Sequence, residues 1–131
     1  MNTPITFQVE RTNTGGAMNL ATGKFTAPRV GIYFFSYSGL FDFPTSSSFI
    51  QTVVRIFLNG NLIGSIAHDE FNTKGSQSAP FNLQSTLNLQ KGDQVWLQYE
   101  NAGDAVTLFD SGSHYQHFTG WLLEEDISKS L

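Results

Sequence analysis

The sequence predicts an all-β domain folded as an antiparallel sandwich of two sheets, and three observations support this. Short apolar or alternating runs recur along the 131 residues, separated by turns rich in Gly, Asn and Ser. The apolar period of an amphipathic helix is almost absent. The 12 Phe residues and the aromatic content of 14% supply large side chains that suit strands. Periodicity alone leaves three topologies open: a jelly roll, an immunoglobulin-like sandwich and a lectin sandwich.

In the N-terminal half, Ile5, Phe7 and Val9 alternate with polar residues and predict a half-buried first strand over 5–10. The elements expected after it are, in chain order, a turn at 13–16, one or two short strands within 19–25, a strand at 31–41 that follows a break at Pro28, and a loop at 43–48.

In the C-terminal half, Asn59-Gly60 separates apolar runs at 49–58 and 62–67 and predicts a β-hairpin. Residues 69–79 are the longest polar stretch and are expected to form a long connection. The remaining elements are strands at 81–89, 94–100 and 105–110 with a turn at 91–93 and a loop at 101–104, a closing strand at 114–123, and a polar tail at 124–131 that is expected to fray.

The segment over residues 25–37 is the most informative part of the chain. Side chains alternate between the two faces of a strand, so Tyr33, Phe35 and Tyr37 share one face. Ile32 and Phe34 share the other face, which is therefore also apolar. A strand that is apolar on both faces is expected either deep between two sheets or at a contact between subunits.

The spacing of Phe25, Gly31, Tyr33, Phe35 and Tyr37 resembles the signature of the C1q-like globular head domain, a family shared with adiponectin and the short-chain collagens. The resemblance covers residues 5–123, with Met18 at an upstream position where Leu or an aromatic is usual and Trp121 where Phe is usual. The further signature positions that match are Phe7, Asn13, Gly92, Asp93, Val95, Phe118 and Gly120.

The resemblance implies that residues 1–131 form one C1q-like domain with a jelly-roll fold, as in tumour necrosis factor, and that it assembles as a homotrimer. One face of the aromatic strand would fill the core, where Phe25 and Phe35 are expected, while other aromatics would contact a neighbouring protomer. Family members are secreted binding proteins rather than enzymes. The chain resembles the solitary heads of invertebrates, and this resemblance implies a lectin-like protein of innate immunity that binds glycans or microbial surfaces. The alternatives are a signalling ligand for a protein receptor and a structural trimerisation head.

Composition excludes several other classes of function. The net charge of -4 disfavours binding to nucleic acid and to anionic membranes, and no apolar run reaches a transmembrane length. The absence of Cys excludes disulfides, thiolate metal sites and Cys nucleophiles. The start of the chain lacks the features of a signal peptide, so an exported protein is expected to be a mature or trimmed form. No hydrolase or phosphate-loop motif occurs, which predicts a non-enzyme.

Asp69 and Glu70 are the candidate metal ligands. They begin the expected long connection, and the resemblance to collagen X and adiponectin implies that an Asp at this position helps to bind calcium near the trimer axis. Calcium prefers hard oxygen ligands, and a trimer would supply each carboxylate three times. Residues 75–78 lack the downstream acid of those relatives, so the site is expected to be incomplete or weak. Two solvated loop acids remain the alternative, and no other cofactor is expected.

Other polar residues are weaker candidates for a metal or sugar site. His114 and His117 are three residues apart, which on a strand places them on opposite faces and disfavours a shared metal. Arg29 and Arg55 would pair either with an acidic sugar or with a neighbouring carboxylate. Polar loop residues beside an aromatic ring are typical of a glycan site, but any soluble domain carries such loops, and this second interpretation is favoured. The residues are Asp104, Asp110 and Ser111-Gly112-Ser113, with Tyr115 or Tyr99 as the ring.

Overall fold

The computed structural model describes residues 4–7, 9–11, 13–75, 77–102, 106–109 and 113–130. Within these residues the chain forms nine strands, a 3₁₀ turn at Thr14–Gly16 and a short C-terminal helix, α1, at Ile127–Ser130. The strands are β1 (Met18–Asn19), β2 (Lys24–Thr26), β3 (Gly31–Phe43), β4 (Ser46–Leu58), β5 (Asn61–Thr73), β6 (Gln77–Leu89), β7 (Gln94–Ala102), β8 (Thr107–Phe109) and β9 (His117–Glu125).

The strands form two antiparallel sheets, which confirms the all-β sandwich. One sheet has five strands in the order β1-β2-β7-β4-β5. In the other sheet β3 is central, with β6 along one side and both β9 and β8 along the other. The strand β3 therefore organises the four-stranded sheet, and its inward side chains meet the five-stranded sheet in the core.

The inward face of β3 alternates as the sequence predicts. Tyr33, Phe35 and Tyr37 are 1%, 0% and 0% exposed. Phe25 reaches across from β2 and packs edge-on against Phe35, with 5.1 Å between ring centroids. The prediction that Phe25 and Phe35 belong to the core is confirmed.

Two signature glycines are required because β9 passes close to β3. A Cβ on Gly120 would lie 2.6 Å from Cε1 of Phe35, well inside ordinary van der Waals contact. A Cβ on Gly31 would collide with the backbone oxygen of Glu124. Small residues at these two positions let the strands and the buried ring approach closely.

The predicted loop at 43–48 and the predicted connection at 69–79 are wrong in extent. Strand β4 begins at Ser46, β5 continues to Thr73 and β6 begins at Gln77, so only residues 44–45 and 74–76 connect these strands. The physical reason is pairing in the two sheets, since Ser46 pairs with Thr73 and Gln77 pairs with Phe43. Backbone hydrogen bonds along these ladders override the polar composition on which the loop predictions depended.

The two ends of the chain also differ from expectation. No strand is assigned among the described residues of 5–10; Ile5 N donates one hydrogen bond to Leu97 O at 2.7 Å, and Val9 is 55% exposed. At the other end β9 continues to Glu125, because the backbone of 124–125 pairs with the start of β3, and α1 follows. Fraying from residue 124 is therefore wrong.

Candidate functional site

The outward face of β3 carries an aromatic pair. Phe34 lies opposite Trp121 of β9, with 4.9 Å between the ring centroids and 45° between the ring planes. Trp121 keeps 46% of its surface exposed, and Phe34 and Ile32 are half-buried. We call Ile32, Phe34 and Trp121 the aromatic face.

The surroundings of the aromatic face are polar but uncharged on the β6 side. Phe34 pairs with Thr86 and Ile32 with Asn88, and Gln84 Nε2 donates to Ser36 Oγ at 3.5 Å. An aromatic centre with an uncharged polar rim is the composition of a contact between proteins. It is also a poor surface for an isolated monomer in water.

One end of the four-stranded sheet is held by a glutamine that sequence reasoning missed. The Tyr37 hydroxyl donates to Gln116 Oε1, and Gln116 Nε2 donates to the backbone oxygens of Leu40 and Phe109, each at 2.7 Å. Gln116 therefore links β3, β8 and the start of β9. Tyr37 and Leu40 are distant from Gln116 in sequence and Phe109 lies seven residues before it, so no local pattern marks the glutamine. The available signal is that a buried Tyr hydroxyl needs a partner.

Other signature residues have structural roles. Asn13 Nδ2 donates to Met18 O at 2.7 Å, and Met18 N donates to Asn13 Oδ1 at 3.0 Å, so the amide closes the turn before β1. Asp93 Oδ2 accepts a bond from Gln90 N at 2.8 Å, and Asp93 Oδ1 accepts one from Asn59 Nδ2 at 3.0 Å. These contacts fix turns rather than form a ligand site.

Phe7 and Phe118 pack against each other, with 5.9 Å between ring centroids, and Val95 is fully buried. Gly92 has a φ of 92°, the left-handed conformation that favours glycine in the turn before β7. These signature positions belong to packing and turn formation.

Asp69 and Glu70 lie within β5, so the expectation that they begin a long loop is wrong. Being adjacent on a strand, they point to opposite faces. Asp69 Oδ1 accepts a hydrogen bond from Gln51 Nε2 at 2.8 Å, while Glu70 Oε1 lies 2.8 Å from His68 Nε2. A single protomer cannot use both carboxylates for one ion, and the described part of the chain holds no group of three or more His, Asp or Glu side chains around a common point. Calcium binding at Asp69 stays a prediction that depends on assembly.

The two arginines and the two histidines proposed from the sequence lie in different surroundings. Arg29 Nε lies 3.3 Å from Glu125 Oε1, and Arg55 pairs with Glu100, so both arginines pair with neighbouring carboxylates. His114 has a φ of 56° and precedes β9, so the expectation of a strand residue is wrong for it, whereas His117 begins the strand.

The polar-loop candidates are only partly described. Tyr99 packs on Phe41 with 5.3 Å between ring centroids, and Tyr115 is 42% exposed beside Phe109. Asp104, Asp110, Ser111 and Gly112 lie outside the described residues.

The sequence matches a known protein family over most of its length. The C1q domain family model matches residues 1–123. Mouse (Mus musculus) complement C1q tumor necrosis factor-related protein 3 is 32% identical over 124 residues, covering 95% of this chain and 46% of that protein. A mouse complement C1q subcomponent is 32% identical over 125 residues, covering 95% of this chain and 45% of that protein. The chain thus spans about half the length of these curated relatives.

A solved structure gives the same fold. The globular domain of zebrafish complement 1qA protein superposes with a TM-score of 0.63 at 23% identity, covering 95% of this chain and 87% of that chain. No helix among the described residues has the length and apolar character to cross a membrane.

Proposed function

The chain belongs to the C1q domain family, a non-enzymatic recognition or ligand module, and from this we propose that it is the globular head of an extracellular homotrimer. The observation that carries the proposal is the aromatic face on the four-stranded sheet. Phe and Trp side chains bury large areas, and assembly about a threefold axis would remove this apolar surface from water.

The mass in solution tests the assembly. We expect a particle of about 44 kDa, three times the 14.5 kDa of one chain, by light scattering at micromolar concentration. Trp121→Ser is expected to shift the mass towards one chain. Trp96→Ser is the matched control, because Trp96 lies outward on the five-stranded sheet and is the second of only two Trp residues. A wild-type particle of single-chain mass would refute the assembly.

The proposed ligands are glycans or other molecules of microbial surfaces. Support comes from the likeness to a complement subcomponent and from the five-stranded sheet, whose outward face a trimer built on the other sheet would leave accessible. A glycan array and a pull-down with intact bacteria test this directly. Absence of binding in both assays by a folded trimer would contradict the proposal.

A signalling ligand is the second candidate function, favoured by the 32% identity to a C1q tumor necrosis factor-related protein. It would bind a protein receptor instead of a sugar. Saturable binding to cells that persists after enzymatic deglycosylation would favour this candidate, whereas loss of binding after deglycosylation would favour glycan recognition.

A further inference from the structure

Four side chains form a single row across the outward face of the five-stranded sheet. They are Lys24 of β2, Trp96 of β7, Phe57 of β4 and Leu62 of β5, and we call them the Trp96 row. Phe57 pairs with Trp96 on one side and with Leu62 on the other. Lys24 joins from the other edge of β7, with its Nζ 4.5 Å from the centroid of the Trp96 ring.

The row is apolar along most of its length; Phe57 and Trp96 are half-buried, and the row is most exposed at Leu62. The Phe57 and Trp96 rings are nearly parallel, with 17° between planes and 6.0 Å between centroids. Leu62 is 55% exposed, and Ile63 beside it is 39% exposed. Because adjacent strands are about 4.8 Å apart, the row spans about 14 Å, which is long enough for more than one sugar ring.

The immediate surroundings of the row hold the Lys24 ammonium, several hydrogen-bond donors and the two acids Asp93 and Glu100. Within the described part of the chain Lys24 makes no ion pair, although the protein carries a net charge of -4. The nearby acids have partners of their own: Asp93 accepts bonds from Asn59 and from the backbone of Gln90, and Glu100 pairs with Arg55.

The next outward positions along these strands are Gln98 on β7, Arg55 on β4 and Ser65 on β5, which pair in one line. They place donors directly beside the apolar row. A flat apolar strip with a cation at one end and donors along one side is complementary to a ring with one apolar face, several hydroxyls and one negative charge.

We propose that the Trp96 row binds sugar rings that carry a carboxylate, such as sialic or uronic acids; this rests on the recognition function proposed above and specifies its ligand class. The C–H face of the sugar lies over Trp96, Phe57 and Leu62, and its carboxylate contacts the Lys24 ammonium. The contact between Lys24 and the Trp96 ring holds the cation at the edge of the apolar strip. An acidic peptide is disfavoured, because sheets bind extended peptides at a free edge instead of on a flat face.

The experiment uses the intact assembled protein and the fluorescence of Trp96. A Trp121→Phe background leaves Trp96 as the single Trp, and light scattering tests whether its mass matches the wild type before it is titrated. The probes are 3′-sialyllactose, a short uronic acid oligosaccharide, neutral lactose and a Glu-rich peptide. Calorimetry on the wild-type protein repeats each titration without the substitution.

We expect saturable quenching with at least one acidic sugar and none with lactose. Which acidic sugar responds identifies the source of the carboxylate. Lys24→Gln is expected to weaken the binding about tenfold, since it removes a charge-assisted hydrogen bond. Lys74→Gln is the matched control, because Lys74 follows the opposite end of β5 and should leave the affinity unchanged. Added salt should weaken binding to the acidic sugar.

Three binding patterns would overturn the inference: equal binding of lactose, equal loss in Lys24→Gln and Lys74→Gln, or quenching by the Glu-rich peptide with no response to any sugar. Absence of all quenching overturns it as well. Assembly is measured independently by mass, so a trimer that ignores every acidic sugar refutes the Trp96 row and leaves the assembly standing.

Discussion

Gly120 offers a stringent test of how β9 packs on the core. A Cβ at this position would lie 2.6 and 2.7 Å from two carbons of the Phe35 ring. Ordinary contacts between carbons are about 3.5–4.0 Å, so the ring would have to move by about 1 Å. Phe35 is fully buried and packs against Phe25 and Phe118, with ring centroids at 5.1 and 6.0 Å, so it has little room to move.

We therefore expect Gly120→Ala to lower the free energy of unfolding by about 1–3 kcal/mol, the usual range for overpacking a well-filled core. Urea unfolding followed by fluorescence at fixed protein concentration measures this, since assembly links apparent stability to concentration. Gly75→Ala is the control, because Gly75 lacks both a positive φ and any atom within 4 Å of an added Cβ. It should be neutral or slightly stabilising.

A double-mutant cycle separates the clash from a general loss of stability. Phe35→Leu destabilises by itself through lost core volume, but it shortens the side chain that the methyl group added by Gly120→Ala would meet. The double variant should therefore be more stable than the sum of the two single effects predicts. Strict additivity, or a Gly120→Ala variant as stable as Gly75→Ala, would refute the proposed steric role.

Three further predictions concern single polar groups. If Asp69 binds calcium in the assembled protein, chelation should lower the melting temperature and Asp69→Asn should abolish that response. A melting curve that the chelator leaves unchanged would refute calcium binding at Asp69. Asn13→Ala leaves the backbone groups of Met18 without partners and should cost about 1–3 kcal/mol in urea unfolding, whereas a loss below that range would mean that water replaces the amide. Burial raises the pKa of the Tyr33 hydroxyl in the folded protein, so the unfolded chain ionises first as the pH rises. The stability that neutral Tyr33 contributes is therefore present at neutral pH and is lost as the pH rises past about 10. Tyr33→Phe should reduce this alkaline loss in a pH series of unfolding curves, and an equal loss in both proteins would contradict it.

Much of the fold was predictable because local patterns and tertiary packing agree along β3. Alternation placed Tyr33, Phe35 and Tyr37 on one face, and all three are buried. The Asn59-Gly60 turn was equally clear, since both residues adopt the positive φ that a tight hairpin requires.

The errors arise where pairing partners lie far away in sequence. The Ser-rich start of β4 and the polar end of β5 look like loops, yet Ser46 and Thr73 pair and are both buried. The loop that polar composition predicts around Asp69 is for the same reason part of β5. No local pattern reports which distant strand will supply backbone partners.

The surface features were predictable only in part. The apolar character of Phe34 was evident from the strand period, but its contact with Trp121 depends on the register of β3 against β9. The Trp96 row was not predicted, because it combines four strands whose order in the sheet a single sequence does not specify.

The position of β9 beside β3 has a consequence for how the protein is made. The central strand leaves the ribosome before β9, one of its long neighbours, which follows all the other described strands along the chain. Until then the edge of β3 that will receive β9 exposes unpaired backbone groups, and long-range pairings of this kind form slowly. Nascent chains stalled before residue 117 should therefore need chaperone protection and should aggregate more readily than chains that already contain β9.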